Sequence, residues 1–496
     1  IQDIYTEEIW FLSDADSSAD GKWWFTFADS VGPGDGNIYR ITDVFKGPIT
    51  DSTVLSHDVL LTRDLVIDTN GILVIEPGVT LYIYPDWDEN NQGFSDSTIE
   101  IITKGKLYAN GTAFDSIRFV PFADSPEQGD WVGIYFDEFT SGEFSYCSIR
   151  YGDRGIEMRR DADVNVSHCH IGDNSTTGIY NYKGSLDLVH SRVANNGIYG
   201  LHGYLGADSV FNTKFADNVS YGIRIYGTDA SSDSTYILSD TITCLSPSPN
   251  PSLYGIKIDN NDRVRISNCR VQSYDQGGIY ISSSDCIVQH SDLRSNGNYG
   301  TYVANSSNPY IRQCNLANLP IGVKVTGRSL PDIGIVSSIP VDSGLSDFQG
   351  CSQWYIYQDW LFGPNLLMAE ANYFGVGMPD TSKFYGPIDY IPYITYDPFP
   401  KVTIDQQVPY AFMLRSNYPN PFNAMTVIRY SLPAESDVTI EIYDILGRRI
   451  QTLFSGNRPA GSHSVIWDAR DLPSGIYLYR IDAGQYSKTI RCLLLK

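Results

Sequence analysis

The chain has 496 residues, a formal charge of −23, and 42% hydrophobic and 13% aromatic side chains. That length holds two or three domains and a large core, and so acidic a surface excludes nucleic acid as a partner. No apolar run reaches the roughly 18 residues that a membrane-spanning helix needs. The acidic excess is uneven. Residues 402–496 hold 10 basic and 8 acidic side chains, which leaves 25 against 50 for the first 401.

The chain opens Ile1-Gln2-Asp3 without a Met, which reads as a mature form whose signal peptide has been removed. Residues 1–54 concentrate aromatics at Trp10, Trp23, Trp24, Phe25 and Phe27. They are expected to cap an open sheet end; an arm docking on a neighbouring copy is the second reading.

From there a period dominates. Gly followed by another residue, mostly apolar, recurs at Gly133, Gly155, Gly178, Gly200, Gly222, Gly255, Gly278, Gly300 and Gly322, in steps of 22, 23, 22, 22, 33, 23, 22 and 22. A coil of three short strands and three turns consumes about 22 residues. The long step contains Ser246-Pro247-Ser248-Pro249-Asn250-Pro251, read as one loop insertion. A second column, Cys147, Cys169, Ser191, Thr213, Asp240, Cys269, Ser291 and Cys314, stands two residues before an apolar one each time. These cysteines are therefore expected to be small core residues, not ligands or bridges. Asn174, Asn196, Asn218 and Asn296 each precede the next Gly by four residues and are expected to stack at a corner as an amide ladder. Asn110, Asn165, Asn174, Asn218 and Asn305 open N-x-S/T sequons. The last segment reads as short alternating strands, such as Val438-Thr439-Ile440-Glu441-Ile442, separated by Gly and Pro turns.

Two stretches carry a family likeness. Gly71-Ile72-Leu73-Val74-Ile75-Glu76-Pro77-Gly78-Val79, Gly105-Lys106-Leu107-Tyr108-Ala109-Asn110-Gly111-Thr112 and Trp131-Val132-Gly133-Ile134 resemble bacterial extracellular parallel β-helix proteins of the pectate-lyase-like superfamily. Asn372-Tyr373-Phe374-Gly375 looks like their closing turn. Asn417-Tyr418-Pro419-Asn420-Pro421-Phe422-Asn423, Trp467-Asp468 and Ser474-Gly475-Ile476-Tyr477 resemble the type A C-terminal sorting domain of the type IX secretion system, with Ala424 where that family usually has Pro. The fold expected is all-β: a right-handed parallel β-helix over 55–400, behind the 1–54 cap or arm, then a small immunoglobulin-like β-sandwich over 401–496. The second resemblance implies export by the type IX machinery to the outside or outer surface of a bacterial cell. There the domain is either retained for assembly or simply uncleaved.

The repeat register points to two outward stripes. Tyr180, Tyr182, Tyr204 and Tyr226 form a tyrosine strip that suits sugar rings, or that only stabilises the stack. Ser148, His170, Arg192, Lys214, Thr241 and Arg270 form a basic stripe. Lyases of the resembling fold use Arg or Lys as base, which makes Arg192, Lys214 and Arg270 the catalytic candidates. No cofactor is expected except Ca²⁺, for which Asp173 and Asp217 are the candidate ligands. Three functions stand open: a structural or adhesive surface protein that forms end-to-end homopolymer filaments, a polysaccharide lyase or glycoside hydrolase on acidic glycans, and a non-catalytic glycan-binding protein. The partners expected are extracellular glycans and copies of the chain itself.

Overall fold

The computed structural model describes residues 48–85, 98–227, 234–244, 253–334, 344–359, 366–395, 398, 412–414, 417, 420, 422, 425–445, 447–459, 461–470 and 472–494. The aromatic N-terminal segment expected as a cap lies outside them up to residue 47. The chain divides into two compact units, Ile1–Pro398 and Phe399–Lys496.

In the first unit the coils build three parallel sheets, of eleven, nine and thirteen strands among the described residues, a full coil placing one short strand in each. The first sheet begins at Ser52–Leu55, the second at Val59–Leu61 and the third at Leu65–Ile67. Successive strands of one sheet pair in parallel: Ser52–Leu55 lies against Ile72–Ile75, which lies against Lys106–Asn110. The Gly repeat marks the third sheet. Ile134, Ile156, Ile179, Leu201, Ile223, Ile256, Ile279, Thr301 and Val323 are register partners in one column, all at most 1% exposed. Burial on the inward side of all three sheets gives one continuous apolar core.

The glycine is a packing requirement. A Cβ on Gly178 would lie 2.6 Å from Val193 Cγ1 and 2.7 Å from the Gly200 carbonyl, and one on Gly200 would meet Phe215 at 2.7 Å. The corner between the first and second sheets is turned by left-handed residues, Tyr146, His168, His190 and Asn212, with φ of 49–55°. Each such non-glycine residue costs roughly 1–2 kcal/mol. The next residue in the chain supplies a compensating bond. Cys169 N–H donates to Ser191 Oγ at 3.0 Å, Ser191 N–H to Thr213 Oγ1 at 3.4 Å, and Thr213 N–H to Asp240 Oδ1 at 2.7 Å. The Cys/Ser column is thus a buried hydrogen-bond column, and all eight cysteines of the chain are free and buried.

The asparagine ladder forms as expected. Asn174 Nδ2 donates to Asn196 Oδ1, and Asn196 Nδ2 to Asn218 Oδ1, each at 2.8 Å. The sequons at Asn174 and Asn218 are therefore spent inside the coil. Asn296 sits in the same corner, where its Oδ1 accepts from Tyr274 N–H at 3.2 Å.

The long step divides differently from the single insertion expected. Ala194 pairs with Ala216, 22 residues on, but Ala216 pairs with Thr243, 27 on, and Tyr221 with Tyr254, 33 on. Five extra residues enter between Tyr226 and Tyr236, and six more between Thr243 and Tyr254. The Gly column alone shows only their sum.

The second unit is antiparallel. One sheet holds Met413–Leu414, Met425–Leu432 and Gly461–Asp468; the other holds Arg449–Arg458, Ser436–Asp444, Gly475–Ala483 and Tyr486–Leu494. They share a core around Trp467, Tyr479 and Phe422. The Asn-rich motif is anchored on it: Asn420 Oδ1 accepts Leu493 N–H at 2.8 Å, and Asn417 Nδ2 donates to Thr426 Oγ1 at 3.0 Å.

Candidate functional site

The outward side of the third sheet collects the most side chains with recognition chemistry. Strand alternation sends every second residue out, and coil stacking turns each outward position into a ladder. The middle ladder runs Tyr135, Glu157, Tyr180, His202, Arg224, Lys257, Tyr280, Tyr302, Lys324, Tyr357 and Tyr385. On one side lies Tyr182, Tyr204, Tyr226 and Asp259.

On the other side lies a ladder that the sequence reading passed over: Tyr199, Tyr221, Tyr254 and, beyond Gly277, Tyr299, Ile321 and Trp354. Its signal was present, because Tyr199, Tyr221, Tyr254 and Tyr299 each directly precede a repeat glycine. The reading followed the residue after the glycine and not the one before it.

Ring orientation divides this face. Tyr182, Tyr204 and Tyr226 stack on one another, with centroids 5.2 Å apart and planes within 11° and 18°. Both faces of Tyr204 are covered by its neighbours, so the strip presents edges and hydroxyls outward. Further along, the rings tilt. Tyr254 and Tyr280 meet at 40°, Tyr280 and Tyr302 at 89°, and Trp354 stands at 58° to Tyr357 and 64° to Tyr385. These tilted rings do not cover one another face to face, whereas Tyr357 and Tyr385 beside them stack within 7°.

Charge divides the face as well. Glu157 is held by Arg154 and, at 2.6 Å, by Arg159, beside a cleft of about 440 Å³ lined also by Glu100, Tyr135 and Asp153. Asp259 stands 3.2 Å from Lys257 and 3.7 Å from Arg224. His202 packs against Tyr180 and Tyr199; burial, then the Arg224 and Arg154 charges, push its imidazole down to about 4, so it is neutral at physiological pH. Lys324 differs from the other cations. Its Nζ donates to the Tyr299 hydroxyl at 3.1 Å and lies 4.8 and 4.7 Å from the Tyr299 and Tyr302 ring centres. No carboxylate among the described residues pairs with it. Burial lowers its affinity for protons, but the Tyr299, Tyr302 and Tyr357 phenols outweigh that and hold it above its ordinary value.

The second sheet carries the basic stripe in one register: Ser148, His170, Arg192, Lys214, Thr241 and Arg270. Arg270 reaches Asp292 at 3.8 Å. Tyr180, Tyr182, Tyr204 and Tyr226 therefore lie on a different sheet from Arg192, Lys214 and Arg270. Asp173 is engaged by Arg150 at 2.5 Å and by Asn195 at 3.0 Å. Asp217 is left-handed at φ 55° and donates its N–H to Thr243. No group of three or more His, Cys, Asp or Glu among the described residues is placed to hold a metal ion.

The first sheet carries a third set. Tyr108, Glu143, Asn165 and Asp187 are register partners on consecutive strands. Burial pushes the Glu143 carboxyl up to about 7, and burial with the neighbouring Asp187 raises Asp163.

Residues 127–243 and 254–334 match the family described as right handed beta helix region, and residues 416–495 match the secretion system C-terminal sorting domain. The chain thus carries a right-handed parallel β-helix followed by a type IX sorting domain. That domain marks it for type IX secretion to the cell exterior or surface. No helix among the described residues is long and apolar enough to cross a membrane. Among solved structures, tailspike protein 2 of Escherichia coli O157:H7 bacteriophage CAB120 is similar at 12% identity, over 90% of this chain and 64% of its own, with a TM-score of 0.35. Alginate lyase from Paenibacillus sp. str. FPU-7 is similar at 11% identity, over 63% of this chain and 93% of its own, with a TM-score of 0.21. This chain thus spans under two thirds of the tailspike's length. No curated protein sequence matches the chain.

Proposed function

We propose that this is a secreted, adhesive glycan-binding β-helix whose binding surface is the aromatic face of the third sheet. One observation carries the reading: the tilted rings of Tyr254, Tyr280, Tyr299, Tyr302 and Trp354, half-buried and side by side on five consecutive strands apart from Ile321–Val325. Pyranose rings present apolar C–H faces that pack on aromatic faces, while phenol hydroxyls meet their hydroxyl groups. Coils about 4.8 Å apart place successive rings at the spacing of a linear chain of sugars. Affinity electrophoresis through gels containing single polysaccharides tests it. Retardation by at least one glycan, lost in Trp354→Ala and Tyr302→Ala, is expected. Retardation unchanged in both variants refutes the face as the site.

A second reading, cleavage of acidic glycans, is favoured by Glu143, whose carboxyl near 7 suits a general acid beside Asn165 and Asp187. Release of reducing ends from a polysaccharide, abolished in Glu143→Gln, supports it; release that persists in that variant rejects it.

A further inference from the structure

We propose that Lys324 anchors an anionic subsite, binding the carboxylate or sulfate of a sugar whose ring rests on the aromatics around it. The inference rests on the glycan-binding reading and specifies its ligand.

The other cations of this sheet already have acids. Between the strands Arg154–Met158 and Phe384–Tyr385 the sheet carries Arg154, Arg224, Lys257 and Lys324 against Glu157 and Asp259. Glu157 takes Arg154, and Asp259 takes Arg224 and Lys257. Lys324 is the one left without a described carboxylate, on a chain with 58 of them. Its ammonium is held in place: one proton goes to the Tyr299 hydroxyl, and the Tyr299 and Tyr302 rings flank it. An ammonium has three donors, so two remain for a ligand.

The surroundings suit a sugar acid better than a free anion. Tyr302 and Tyr357 are its register partners on the strands before and after, and Trp354 packs on Tyr357 at 5.9 Å. An acid group on Lys324 would bring the attached ring over Tyr302 on one side or Trp354 on the other. The walls of aromatic carbon lower the local dielectric and strengthen the charge pair. Among the described residues, neither Arg192 nor Lys214 on the second sheet has aromatic rings flanking it as Tyr299 and Tyr302 flank Lys324.

The test is titration calorimetry of the full chain with three probes: hexagalacturonate, a sulfated galactan hexasaccharide and neutral cellohexaose. Expected is binding of at least one acidic probe, weakened by about tenfold or more in Lys324→Met and kept within a few-fold in Lys324→Arg. Raising salt weakens wild-type binding more than that of Lys324→Met. The acidic probe that binds identifies carboxylate or sulfate. Any cellohexaose binding stays within about twofold in Lys324→Met. An equal loss for acidic and neutral probes reduces Lys324 to a packing role and overturns the inference. So does loss of acidic binding in Arg192→Gln or Lys214→Gln with Lys324→Met unaffected. Binding of cellohexaose alone overturns it while leaving the glycan-binding reading intact; binding of none of the three overturns it too, with the polysaccharide gels then judging that reading separately.

Discussion

Asn196 donates from Nδ2 to Asn218 Oδ1 at 2.8 Å, while its own Oδ1 accepts from Asn174 Nδ2 at the same distance. Each amide also takes a backbone N–H, Asn174 N–H reaching Asn196 Oδ1 at 3.3 Å. The side chain that turns one corner therefore ties three coils together. Replacing Asn196 by Ala strips partners from buried groups on both neighbours. A loss of about 2–4 kcal/mol is expected from equilibrium denaturation. A loss under about 0.5 kcal/mol refutes the ladder as a structural tie.

Glu143 gives the fold a pH signature. Its carboxyl stands at about 7 in the folded chain against 4.5 as its ordinary value, with burial as the cause. The folded state then holds more protons than the unfolded one between those values. Stability contributed by this group is full below about 4.5, falls as pH rises toward 7, and stays low above it. The change is on the order of 3 kcal/mol. Glu143→Gln should flatten that part of the stability–pH curve, read as denaturation midpoints from pH 4 to 8. An unchanged slope contradicts the assignment.

Thiol counting checks the Cys column. Burial pushes the Cys286 thiol well above its ordinary value and the Cys314 thiol up to about 12, and all eight cysteines are free. With Ellman's reagent the native protein should react at close to none of them, and the denatured protein at all eight. Six or fewer thiols after denaturation reveal a disulfide and refute the column as reduced core.

The stacked and tilted halves of the aromatic face should separate in mutants. Tyr204→Leu removes ring contacts on both sides and should cost roughly 1–3 kcal/mol of stability while leaving glycan affinity within about twofold. Trp354→Ala should do the opposite. The pair is read by thermal unfolding alongside binding, and a tenfold affinity loss in Tyr204→Leu would return the binding role to the stacked strip.

The coil was legible in the sequence because its causes are local. Gly178 and Gly200 are fixed by the side chains behind them, and the Asn and Cys/Ser positions by the corners they turn. The sorting domain was legible from Asn420, Phe422 and Trp467, which its core uses directly. The candidate site was half legible. Tyr180, Tyr182, Tyr204 and Tyr226 follow the glycine column and were found; Tyr254, Tyr299 and Trp354 precede it or lie past its end. No residue pattern records ring tilt, which depends on what packs above and below, so Tyr204 and Tyr302 read alike until their neighbours were placed. The two insertions were hidden for a similar reason, since one column reports only their total.

The proposed glycan site lies along the aromatic face of the third sheet. Carbene footprinting of the protein with and without a retained polysaccharide tests it most directly. Protection confined to Tyr280, Tyr299, Tyr302, Lys324 and Trp354 is the predicted result. Protection centred instead on Arg192, Lys214 and Arg270, with those residues unchanged, would contradict it.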